Sequence, residues 1–172
     1  MTLIDALVAT ALLVTVATGA AGLFTWAARA AWASNTQSTA VWLAQQKLEQ
    51  LLSLEWSVGL DGVERSDSTT DVAADPMTAG GPGLGPSPAS ALDENTPGYV
   101  DFVGADGAWR GGTEPGRGAA FVRRWSIVPL ASDPGSTLVV TVSVRPLAEA
   151  GRGESQVSSG ATLQTVRTRL LR

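Results

Sequence analysis

The sequence predicts an α+β protein: a long N-terminal α-helix, hydrophobic in its first half, packed on a C-terminal antiparallel β-sheet of about four strands. Three observations lead there. No charged residue lies between Asp5 and Arg29. Apolar residues then recur at three- and four-residue spacing as far as Trp56. Beyond Pro97 the spacing changes to the alternation of strands, most cleanly at Leu138, Val140, Val142 and Val144.

Residues 1–28 form the first element. About 20 apolar residues cross a bilayer as helix, and residues 6–28 are long enough. A cleaved secretory signal fits poorly, because it wants a basic start and a shorter apolar run. A plain anchor fits the length, with Asp5 as a hydrated interfacial acid at its edge, but it fits other details less well. A carboxylate in such a segment is costly unless paired, about 2.5–3.5 kcal/mol at mid-membrane and less near an end. No basic side chain lies within helical reach, so the nearest positive group is an α-amino terminus. Arg29, the first basic residue, follows the apolar run and would place the C-terminal side in the cytoplasm. That conflicts with a polar, strand-rich remainder.

Residues 29–57 continue the helix in amphipathic form. Val41, Ala44, Leu48, Leu51, Leu52 and Trp56 make the apolar face, while Gln45, Gln46, Lys47, Glu49 and Gln50 take the polar positions. A continuous helix of about 55 residues would be roughly 80 Å long. Gly19 and Gly22 interrupt its apolar part, each costing up to about 1 kcal/mol against Ala. They mark either a close helix–helix contact or a stretch able to lose helicity; contact between small residues is the preferred reading.

Residues 58–98 read as a Gly/Pro-rich loop, with Asp75 to Pro88 too rich in both for a regular element. Gly81, Gly83 and Gly85 make no phosphate loop, because no Lys-Ser/Thr closes the run. Asp61, Glu64, Asp67, Asp71 and Asp75 match no calcium-loop spacing and read as a solvated acidic loop. Residues 99–172 form the sheet, with strands expected at Tyr99–Val103, Ala119–Leu130, Leu138–Val144 and Ala161–Leu171. Arg123 and Arg124, adjacent on a strand, point to opposite faces and form no anion patch together; they read as exposed edge charges or local ion pairs. Trp26 and Trp32 flank Arg29 in the manner of a membrane-interface belt. The other tryptophans are expected in the core or in a subunit interface.

Composition narrows the function. The 172 residues carry a net charge of −4 and no basic cluster, so nucleic acid is not an expected partner. The absence of cysteine excludes disulfides, thiolate metal sites and a thiol nucleophile. The absence of histidine removes the commonest general base and zinc ligand. No enzymatic activity and no cofactor are expected. Asp101 and Asp106 would be the carboxylate pair of an anchored hydrolase, but no pattern beyond two acids near a turn supports it.

The run Thr2-Leu3-Ile4-Asp5-Ala6-Leu7-Val8-Ala9 resembles the start of mature type IV pilins and pseudopilins, with Asp where the family usually has Glu. Trp42 to Leu52 resembles the matching helical stretch of minor pilins and pseudopilins. More loosely, the head resembles the minor-pilin and I-type pseudopilin group. The resemblance implies the pilin fold and a basic leader removed by a prepilin peptidase. Met1 would then be the processed, methylated residue, and Asp5 would meet the amine of a neighbouring subunit during assembly. It implies self or related pilin subunits as partners in a helical filament, together with an inner-membrane assembly platform. The precursor would lie in the inner membrane and the product in an extracellular filament or a periplasm-spanning pseudopilus. Many relatives have proline at position 22, where this chain has glycine. The alternative is a membrane-anchored exported binding module or adhesin that does not polymerise.

Overall fold

The computed structural model describes residues 3–148 and 160–171, leaving aside the side chains of residues 5, 6, 170 and 171. The chain divides into two compact units between Asn35 and Thr36. One helix, α1 (Leu3–Ser53), contributes to both.

The first unit is helix alone. Leu7, Leu12, Leu13, Val16, Leu23, Phe24 and Trp26 are all exposed, as an apolar helix must be when nothing in its own unit covers it.

The second unit holds the α+β core. Ala40, Leu43, Ala44 and Leu51 of α1 are buried together with Val103, Phe121, Trp125, Ile127, Leu138, Val140, Val142 and Val144. The last-named residues come from the main sheet, whose strand order is β6-β5-β7-β8-β9. These strands are β5 (Val100–Val103), β6 (Trp109–Gly111), β7 (Phe121–Pro129), β8 (Thr137–Pro146) and β9 (Ala161–Thr168). Every pairing in it is antiparallel. The sheet therefore has five strands rather than about four; the addition, β6, is short and follows the Gly104–Gly107 turn. In β5 and β7 alternate residues face away from the helix, and there Val100, Phe102 and Val122 form a second small buried cluster.

Two expectations are corrected. The helix stops at Ser53, and Trp56 begins a strand, β1 (Trp56–Val58). It pairs with β2 (Glu64–Ser66) and, in parallel, with β10 (Leu170–Leu171), so partners from other parts of the chain outweigh the helical spacing of the sequence. Nor is 58–98 structureless. A further hairpin, β3 (Thr70–Asp71) with β4 (Thr78–Ala79), lies within it, and Val72, Ala73, Leu84 and Ala91 are buried. Ser87 also bonds Ile127 through backbone and hydroxyl, and Tyr99 donates its hydroxyl proton to Gly85 O and Pro86 O. The Gly and Pro residues thus shape a strap that lies on β7 and on the start of β5.

Candidate assembly helix and buried ion cluster

The apolar part of α1 carries threonines, whose hydroxyls would be costly in a medium without water. They are satisfied within the helix. Thr10 donates to Leu7 O at 3.0 Å, Thr15 to Ala11 O at 2.8 Å, Thr18 to Val14 O, and Thr25 to Gly22 O at 2.8 Å. A helix so arranged presents methyls and methylenes outward and no unmet polar side chain at these positions. It is long and apolar enough to cross a membrane. Asp5 falls on its first turns; its side chain, and Met1 altogether, lie outside the described residues. A Cβ added at Gly19 or Gly22 would meet nothing within 4 Å. Within this unit, then, neither glycine is required by a contact.

The second unit contains a buried ion cluster. Lys47 and Asp101 are each 1 % exposed and lie 2.7 Å apart. The remaining hydrogens of the Lys47 ammonium go to Gln50 Oε1 at 2.7 Å and Val72 O at 2.6 Å, and the nitrogen sits 4.4 Å above the Trp125 ring. Arg123 grips the same carboxylate with two bonds, Nε to Oδ1 at 2.7 Å and Nη2 to Oδ2 at 2.8 Å. Its Nη1 donates to Gln46 Oε1 at 3.0 Å. Burial pushes the Lys47 ammonium down to about 8; Asp101 resists the shift and Arg123 adds to it.

Lys47, expected on the polar face of the helix, is instead buried, drawn in by Asp101, which faces the helix from β5. Of the two expectations for Arg123, an exposed edge charge or a local ion pair, the structure shows the ion pair, and it is buried. The one available signal was that Asp101 and Arg123 occupy same-face positions in strongly apolar strands. Arg124 does point the other way, bonding Asn95 Oδ1. Asp106 pairs with Arg110 instead of joining Asp101, so the carboxylate pair of a hydrolase does not form.

The loop acids serve as local fasteners. Asp67 accepts from Thr69 N, Thr70 N and the Thr70 hydroxyl, which hold its carboxyl below the usual range. Asp61 pairs with Arg65 and Glu64 with Arg169. Among the described residues no three acids come together as metal ligands.

A cavity of about 230 Å³ opens over the ion cluster, lined by Gln46, Lys47, Gln50, Asp75, Asp101 and Arg123 among others. The tryptophans divide. Trp56 and Trp125 are buried in the core, whereas Trp42 is 52 % and Trp109 37 % exposed, which leaves the subunit-interface alternative for those two.

Fold and helix together define a class: an α+β unit in a chain whose N-terminal helix can span a membrane. No family model, curated protein or solved structure matches the chain.

Proposed function

We propose that this chain is the structural subunit of a type IV pilus or a related secretion pseudopilus, polymerising through the first part of α1. The observation that carries this reading is the pairing of an apolar, internally satisfied helix with one acid at its start. Such a helix gains by burying its exposed side chains, at roughly 25 cal/mol per Å². Lipid provides that burial before assembly and neighbouring helices provide it afterwards. In a filament core the Asp5 carboxylate finds the N-terminal amine of the next subunit, and a misregistered neighbour leaves both charges unpaired. A protein with this task needs no cofactor and no catalytic group. The inner-membrane platform and the prepilin peptidase are its partners on the way to the filament.

Mass spectrometry of filaments sheared from cells tests the proposal. It expects Met1 as the first residue, carrying an N-methyl group, and an Asp5→Ala chain that stays in the membrane fraction. A basic segment still attached ahead of Met1 in the mature protein, or normal incorporation of D5A, would sink it.

A further inference from the structure

The cavity over the ion cluster has features that the cluster does not need. Its charges cancel: Lys47 and Arg123 are positive, and Asp101 and Asp75 negative. Gln46 and Gln50 each spend the side-chain oxygen on a buried cation, Arg123 and Lys47 respectively. That fixes the orientation of both amides and leaves both NH2 groups as donors at the cavity. Asp75, an exposed residue, contributes an acceptor beside them and makes no ion pair among the described residues. The cavity thus offers donors and an acceptor side by side with no net charge.

Two tryptophans neighbour residues of its lining. Trp42 lies one turn before Gln46 on the same helix face. Its ring rests on the Gly104–Gly107 turn, where a Cβ at Gly107 would come within 2.7 Å of it, and φ there is +78°. Trp109, two residues further on, donates its indole N–H to Ala73 O at 2.8 Å, next to Ala74 on the cavity wall. Trp109 is tethered by that bond, and both indoles are partly open to solvent, one residue or one helical turn from the cavity lining.

From this arrangement we propose that the cavity and its tryptophans bind a neutral saccharide, one sugar ring at a time. Neighbouring hydroxyls on a sugar accept from an amide NH2 and donate to a carboxylate at once, and the C–H face of the ring lies on an indole. A volume of about 230 Å³ suits a single ring rather than a larger body. With two positive and two negative side chains in its lining, the cavity gives neither an anion nor a cation a net electrostatic advantage over a neutral ligand. The site belongs to the second unit and does not depend on the filament reading.

The test uses the full chain in a detergent without a sugar headgroup. Methyl glycosides of glucose, galactose, mannose and N-acetylglucosamine are titrated to about 50 mM, suited to millimolar dissociation constants. Tryptophan fluorescence and the Gln46 and Gln50 side-chain amide NMR signals are followed. At least one glycoside should saturate both signals. Trp42→Ala and Gln46→Glu should each weaken that binding by about tenfold or more. Q46E keeps an oxygen for Arg123, and Trp42→Phe should recover part of the loss, so a folding defect is distinguished from a lost contact. Trp32→Ala, in the other unit, should change nothing. Absence of saturation with all four glycosides overturns the proposal. So does binding unaltered in W42A and Q46E, or a response to sodium phosphate at matched ionic strength without one to a glycoside.

Discussion

Lys47 is the single lysine of a chain that has no histidine or cysteine and only one tyrosine. It is buried with a second cation, Arg123, against one carboxylate. The charge count makes the members unequal. Removing Lys47 leaves a balanced Arg123–Asp101 pair, whereas removing the charge of Asp101 leaves two buried cations. Asp101→Asn should therefore cost about 3–5 kcal/mol in denaturant unfolding. Lys47→Met, which lays an apolar chain on Trp125, should cost far less. The same lysine governs pH dependence. Its folded pKa of about 8 lies below the ordinary 10.5, so between these values the unfolded chain holds a proton that the folded chain has released. Stability should rise with pH through this window and be lost as pH falls through 8. Tyr99, raised by burial above 10, acts in the opposite sense only at higher pH and leaves the window from 8 to 10 to Lys47. Unfolding midpoints measured between pH 7 and 10 should climb in the native chain and stay flat in K47M. A flat native profile would mean that the buried amine keeps its ordinary affinity for protons.

At the scale of elements, the sequence disclosed most where spacing carries the information. The alternation of Leu138 to Val144 marks β8, and the uninterrupted apolar run marks α1, because both patterns follow from local geometry. The burial of Lys47 is not legible from spacing along the helix, which reports only the polarity of the residue, because Asp101, Val72 and Trp125, which enclose its ammonium, come from distant parts of the chain. The end of α1 was misread for the same reason. Its last turn has no basic residue of its own to meet the free carbonyls. Arg167 of β9 meets them from across the fold, with Nη1 to Leu51 O at 3.2 Å and Nη2 to Leu54 O at 2.6 Å. Two residues later Arg169 stacks 3.6 Å over Trp56 and bonds Gly135 O and Arg65 O, which fastens the β1–β2 hairpin. Arg167 thus acts as a C-cap that the helix lacks. Arg167→Ala should destabilise the second unit by about 1.5–3 kcal/mol, the range for hydrogen bonds involving a charged group. Hydrogen exchange should speed up first at Leu51–Ser53. Faster exchange spread evenly over the sheet would assign Arg167 a general packing role instead.

For the molecule as a whole, the distribution of burial separates two tasks. The buried apolar residues described begin at Ala40, and none of them comes from the first unit. The large apolar side chains from Leu3 to Trp32 are exposed, so they contribute nothing to the core of the second unit and much to the cost of keeping the chain in water. Stability and insolubility therefore reside in different stretches of one helix. Eighteen residues of α1, Thr36 to Ser53, remain when the chain is cut at the unit boundary, and these carry the whole face formed by Ala40, Leu43, Ala44, Lys47 and Leu51. A chain beginning at Thr36 should stay in solution without detergent. It should unfold cooperatively within about 4 °C of the corresponding transition of the full chain, a shift worth no more than about 1 kcal/mol. It should also keep the pH 8–10 rise set by Lys47. Differential scanning calorimetry of the two chains decides the matter. A broad, non-cooperative transition in the shortened chain would show that the apolar half of the helix also holds the second unit together.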